Sequence, residues 1–229
     1  MELLSLGAQG YGDELLWGLA LTLFLALTSF FLSCVLGLAF GFIAVSRRRL
    51  ARGFWKVYTS ITMGVPSILV IFFVYFNLPF LLRSVFGVEV EISSLTAGIV
   101  ALTLVYAAYT GEVVRGAVSN VPAGQFEAAR ALGVPTFHLW RLIIVPQAVR
   151  LALPGLANIW LILLKDTALV SLVGLEDIVR VANIAAGTTQ EPFLFYIVAM
   201  AAFVAVAGLS MVAVHKTETW ANKGLADAR

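Results

Sequence analysis

Residues Leu15 to Val45 read LLWGLALTLFLALTSFFLSCVLGLAFGFIAV, 31 positions without a charge. A bilayer core about 30 Å thick needs roughly 20 apolar residues as α-helix. This run is therefore a membrane span with length to spare. It is also far too long for the apolar core of a removable signal. No basic residue precedes Arg47, so such a signal is not expected here.

Working outward, the whole 229-residue chain has the same character. It is 61% hydrophobic before glycine is counted, and 12% charged. A typical soluble domain reaches about 45–50% apolar with glycine included. A soluble globule and a disordered chain are both excluded, since each needs far more polar surface. One cysteine, Cys34, rules out an internal disulfide. It lies in an apolar run and reads as a buried, inert thiol. Two histidines, His138 and His215, make no metal cluster.

Four more apolar runs follow, and they predict spans over about 57–82, 92–113, 151–175 and 192–214. The fourth reaches spanning length only if Lys165 and Asp166 lie inside it. In lipid the backbone must bond within each segment, so the runs are helices. The prediction is an all-α membrane protein of five transmembrane helices, forming one domain over residues 1–229.

Charge orients it. With the N-terminus outside, 12 of the 15 basic residues fall on the cytoplasmic side, among them the cluster Arg47–Lys56. Only Arg83 and Arg180 fall outside, where Glu2, Asp13, Glu14, Glu89, Glu91, Glu176, Asp177 and Glu191 collect. Positive loops stay inside, so the C-terminus is cytoplasmic. The basic cluster reads as an orientation signal and an anionic-lipid contact, not a nucleic-acid site. Trp17, Trp55 and Trp220 fall near the interfaces.

The loop over about 118–147 is not a linker. Pro122 suits a helix start, Gln125 to Leu132 favour helix, and Gly133 with Pro135 stop it. Thr136 is placed to cap a second short helix ending at Pro146. No G-x-x-x-x-G-K-[ST] loop is present, so the chain cannot cradle and hydrolyse ATP, and it is not read as an enzyme. Five spans are few for a self-contained carrier, which usually pairs two repeats. A subunit of a larger assembly is expected. The alternative is an ion-driven carrier or channel subunit that works without an ATPase.

Within the loop stand Glu127-Ala128-Ala129-Arg130-Ala131-Leu132-Gly133, nine further residues, then Ile143-Ile144-Val145-Pro146. This resembles the E-A-A-x-x-x-G-(nine)-I-x-L-P signature of binding-protein-dependent ABC importer permeases, with Val145 in the leucine position. Small Ala128 and Ala129 let another protein's groove come close. Gly133 allows a sharp turn. Tyr106–Gly116, Val121–Glu127 and Leu164–Ser171 resemble the polar amino-acid permeases. Leu172–Asp177 with Glu191-Pro192-Phe193 looks most like the Q-type subunits of histidine, lysine/arginine/ornithine and octopine/nopaline importers. The likeness runs from about residue 12 to 222.

The resemblance implies a type I ABC importer permease fold in a bacterial inner membrane. It implies ATPase coupling through Glu127, Ala128, Ala129, Gly133, Ile143 and Pro146. Two ATPase subunits, which carry the ATP and Mg, are implied as partners. So are a periplasmic binding protein and a second permease chain, a different one in preference to an identical copy. No cofactor is expected in this chain itself.

Gly64, Pro66, Asn158, Lys165 and Asp166 are the candidates for the substrate path or its gate. Gly64 and Pro66 should break the second span, and irregular backbone at depth belongs beside protein or a cavity. The family often has Arg where Met63 stands here. Some relatives carry an acid just after the asparagine of an Asn-Glu-like pair, where this chain has Ile159. A cationic substrate gains no anionic partner there. Lys165 and Asp166 are expensive in a span, and as neighbours they cannot share one helix face, so each needs its own partner. A structural ion pair at a subunit interface is the equal alternative. Glu112 and Arg115, three apart, are spaced to pair. Gly37 and Gly41 form a G-x-x-x-G that favours close helix packing.

Overall fold

The computed structural model describes residues 2–7, 10–45 and 49–221. Arg47, Arg48, Lys223 and Arg229 lie outside the described residues, as does the side chain of Trp220. A short 3-10 turn at Glu2–Leu4 precedes α1 (Gly12–Val45), α2 (Arg49–Gly64) and α3 (Ser67–Phe72). A π turn at Phe73–Asn77 leads into α4 (Leu78–Phe86), and then come α5 (Ser94–Ser119) and α6 (Ala123–Ala131). Next are α7 (Thr136–His138), a second π turn (Leu139–Ile144), α8 (Val145–Asp166) and a 3-10 stretch (Thr167–Val173). The order closes with α9 (Ile178–Thr189) and α10 (Pro192–Ala221).

Among the described residues, five helical segments are long and apolar enough to span: Gly12–Gly41, Ser67–Phe86, Ser94–Ser119, Thr136–Val173 and Pro192–Thr217. Two depart from the runs expected above. The second begins at Ser67, ten residues after Val57, because Pro66 offers no N–H and caps the new helix. Val57 to Gly64 belong instead to α2, whose first turns carry Arg49, Arg52 and Lys56. Charge-free run length concealed this break, since α2 is amphipathic and its uncharged end adjoins the span. The fourth segment starts at Thr136, so the second half of the loop flows into α8 through the π turn. Thr136 is the first helical residue and not a side-chain cap; Pro135 holds the cap position.

The core forms around α5, the most enclosed of the spans. α1 packs along it, with α8 and α3 on its other sides. Lipid tails are as apolar as leucine, so helices associate through close packing and not through the hydrophobic effect. Gly37 supplies that approach. A methyl group there would stand 2.5 Å from Thr110 Cβ and 3.0 Å from the Gly111 nitrogen. Gly41, one turn on, meets Val114 in the same way. Leu25, Leu102, Val105, Ile159, Leu163 and Val170 fill the centre of the bundle.

Two satellite clusters sit at opposite ends. Leu15, Ile178, Ala182, Ala185 and Phe195 join α9 to α1 and α10. Ala117, Val121, Ala129, Leu139, Ile144 and Ala148 seat α6 and the π turn beneath α5 and α8. Cys34 is half-buried, not fully enclosed, and lines an apolar cavity of about 180 Å³ between α1, α5 and α8.

Candidate coupling element and substrate path

The segment from Val121 to Pro146 is built as a bracket. Pro122 caps α6, which ends where Gly133 adopts φ +67. That left-handed conformation costs an L-residue with a side chain roughly 1–2 kcal/mol. It lets the Val134 amide donate back to the Ala129 carbonyl at 2.9 Å and closes the turn. The rings of Phe126 and Trp140 meet edge to face, centroids 6.3 Å apart, and brace α6 against the π turn.

The signature residues divide between two jobs. Ala129 is buried against Leu139 and Ile144, and Ile143 is half-buried beside it. These seat the bracket on its own bundle. Glu127, Ala128, Gly133 and Pro146 are exposed. Leu132 and Phe137 flank the turn, 82% and 66% exposed. Two large apolar side chains displayed beside a small-residue helix face make a surface fit to enter another protein's groove. The E-A-A signature marks neither of them, although apolar residues on either side of Gly133 are visible in the sequence.

A second connection reaches the same end of the bundle. Glu112 accepts from Arg115 at 2.7 and 2.9 Å, closing the expected pair. It also accepts from the Trp55 indole N–H at 2.7 Å. The Trp55 ring lies against Gly111, where a methyl group would collide with it. Glu112 therefore ties amphipathic α2 to α5. From sequence, Trp55 shows only as an interfacial residue.

The remaining candidates lie along the membrane. Gly64, Val65 and Pro66 form the exposed break between α2 and α3. On α8, Pro154, Asn158, Ile162 and Lys165 are exposed at helical spacing. Ile159, Leu163 and Leu164 turn into the core on the other side. Asp166 accepts from the Tyr106 hydroxyl at 2.8 Å. Tyr106 lies halfway along α5, so this bond is at mid-span. Asp166 thus has its partner inside the chain. Lys165 makes no hydrogen bond or ion pair among the described residues. The two neighbours point to different surroundings, about 100° apart on a helix of 3.6 residues per turn.

Toward the acidic end, Asp177 caps α9 by accepting from the Arg180 amide at 2.9 Å. Its carboxylate is wholly buried, and the second oxygen has no partner among the described residues. Burial pushes its pKa up to about 6, against the lowering effect of the backbone amides at the cap.

Comparison with known proteins fits this geometry. The chain is 40% identical over 231 residues to the nopaline transport system permease protein NocQ of Agrobacterium fabrum (strain C58), covering 98% of each chain. It is 39% identical over 193 residues to the histidine/lysine/arginine/ornithine transport system permease protein HisQ of Escherichia coli (strain K12). That match covers 82% of this chain and 85% of the relative. Among solved structures, a chain of an amino acid ABC transporter superposes with a TM-score of 0.82 at 28% identity, covering 91% of this chain and 94% of that one. Residues 33–217 match the model of a family described as the binding-protein-dependent transport system inner membrane component. The bracket between α5 and α8, the five spans and these likenesses agree, and the chain belongs to that family of importer permeases.

Proposed function

We propose that this chain forms one permease domain, half of the path of an ATP-driven importer for polar amino acids or opines in a bacterial inner membrane. The observation that carries the reading is the exposed bracket, with Glu127, Ala128, Leu132, Gly133 and Phe137 turned away from the bundle. Such a surface serves an assembly in which another subunit hydrolyses ATP. An ion-driven carrier would have no use for it. Two ATPase subunits dock there and carry the ATP and Mg. A second permease chain, different from this one, completes the path, and a periplasmic binding protein delivers the solute. The N-terminus is periplasmic and the C-terminus cytoplasmic, in keeping with the basic residues Arg49, Arg52, Lys56, Arg115, Arg130, Arg141 and Arg150.

Coupling follows mechanically. Closure of the ATPase pair pushes α6. Ala129, Ile143, Ile144 and Ala148 pass that displacement to α5 and α8 as one packed unit. The π turn at Leu139–Ile144 leaves a weak point in the helical bonding where α8 can tilt. Along the path lie the break at Gly64 and Pro66 and the exposed face of Asn158 and Lys165, with Asp166 held beside it. Leu132→Glu tests the docking surface. It places an extra charge where an apolar side chain enters a groove, and co-purification with the ATPase should weaken by about tenfold or more. Wild-type ATPase retention by that variant would overturn the assignment.

A further inference from the structure

Three kinds of residue repeat along α2, each on its own face. Trp55 and Thr59 are buried, where α2 packs on α1 and α5. Leu50, Phe54, Val57 and Ile61 are apolar and exposed. Arg49, Arg52 and Lys56 are basic and exposed. At about 100° per residue, the apolar stripe lies opposite the buried face and the basic stripe lies to one side. The three basic side chains make no ion pair among the described residues. Glu112, close by on α5, is engaged by Trp55 and Arg115.

The depth of α2 is fixed by two bonds to α5. Trp55 meets Glu112 toward the end of α5 that leads to the bracket, and the Tyr58 hydroxyl donates to the Leu104 carbonyl further in. The basic stripe therefore begins at the cytoplasmic edge of the bundle, while Val57 and Ile61 reach inward. Exposed apolar side chains at that depth face acyl chains, and long basic side chains beside them extend to the headgroups.

We infer that α2 is a docking site for anionic phospholipids of the cytoplasmic leaflet, and that their charge holds α2 in its seat on α5. Charge selects this occupant. Three unpaired cations suit net-negative headgroups, and each contributes roughly fivefold to affinity for such a surface. The apolar stripe favours a lipid over a soluble anion. A single rotation of α2 satisfies all three faces at once, with the indole against Gly111 and its N–H on Glu112. Headgroup binding and the Trp55–Glu112 bond therefore strengthen each other, by the same factor in both directions. Ala117, on the same end of α5, packs in the cluster that seats the bracket. Lipid charge thus steadies the base of the coupling element.

The inference takes its leaflet and its complex from the importer reading above. The complex of this chain, its sibling permease and the ATPase is placed in nanodiscs. The discs hold either phosphatidylcholine alone or an equal mixture with phosphatidylglycerol. Native mass spectrometry reads the phosphatidylglycerol retained, and hydrogen exchange reads the amides of Arg49–Gly64. Phosphatidylglycerol should slow that exchange by about fivefold or more in wild type. The triple variant Arg49→Gln, Arg52→Gln, Lys56→Gln should retain about tenfold less of the lipid and exchange equally in both discs. Arg49→Lys with Arg52→Lys keeps the charge and should behave as wild type. Trp55→Phe keeps an aromatic ring but no N–H, and should retain about fivefold less. Equal retention by the triple variant and wild type would overturn the inference. So would wild-type exchange that ignores phosphatidylglycerol. Loss of the sibling permease from the triple variant on size exclusion would also overturn it, marking the face as a subunit interface. Stimulation of ATP hydrolysis by loaded binding protein is read in the same discs. Its absence in both lipids counts against the importer reading and leaves the lipid result standing.

Discussion

Asp177 and Asp166 are both acids in an apolar protein, and their surroundings give them opposite consequences. Asp177 is wholly buried with one unpartnered oxygen, and its pKa rises to about 6. The folded state therefore holds its proton more tightly than the unfolded chain does. Ionising it costs folded stability, so its contribution is best below the ordinary value of 3.8 and declines as pH rises to about 6. Asp177→Asn keeps an oxygen to cap the Arg180 amide and cannot ionise. Relative to wild type, the Asn variant should gain about 2 kcal/mol between pH 4 and pH 7, read as melting temperature of the solubilised complex. A constant difference across that range would contradict the assignment. Asp166 instead has the Tyr106 hydroxyl. Tyr106→Phe should cost about 1–2 kcal/mol by the same measurement, the scale of one interhelical hydrogen bond in a membrane.

At the scale of elements, the bracket and the helix break decide what moves with what. Gly133 closes α6 at φ +67, so Gly133→Val should strain the turn by roughly 1–2 kcal/mol. ATP hydrolysis should then respond less to loaded binding protein while the bundle still folds, as checked by ATPase assay beside a melting curve. Gly37→Leu should act differently. It drives α1 away from Thr110 and Gly111, and should abolish stable insertion, visible as lost full-length protein in the membrane. The turn at Gly133 was legible from sequence, because glycine and proline mark it directly. The split of the second apolar run was only half legible. Gly64 and Pro66 marked a break, but nothing local showed that Val57 to Gly64 continue the amphipathic helix begun at Arg49. The π turn left no local sign, since Leu139 to Ile144 read as ordinary helix.

Over the whole molecule, the all-helical membrane architecture was legible because bilayer thickness imposes a length on apolar runs. The signature from Glu127 to Pro146 identified the family for the same kind of reason, as fixed residues at fixed spacing. The pairings that assemble the site were not legible. Tyr106 lies 60 residues from Asp166, and Trp55 lies 57 from Glu112. Only the packing of α5 against α8 and of α2 against α5 brings them together. The division of the Ala pair was hidden too, since which alanine faces inward depends on how α6 sits under the bundle.

The central claim is that this bundle imports polar amino acids or opines at the expense of ATP hydrolysed by a partner. Its most direct test is uptake of labelled solute into proteoliposomes holding this chain, its sibling permease and the ATPase, with loaded binding protein outside and ATP inside. The account predicts uptake of at least one amino acid or opine that stops without ATP and falls sharply in the Gly133→Val complex. Uptake driven by an ion gradient without ATP, or a response to sugars and peptides with none to amino acids or opines, would contradict it.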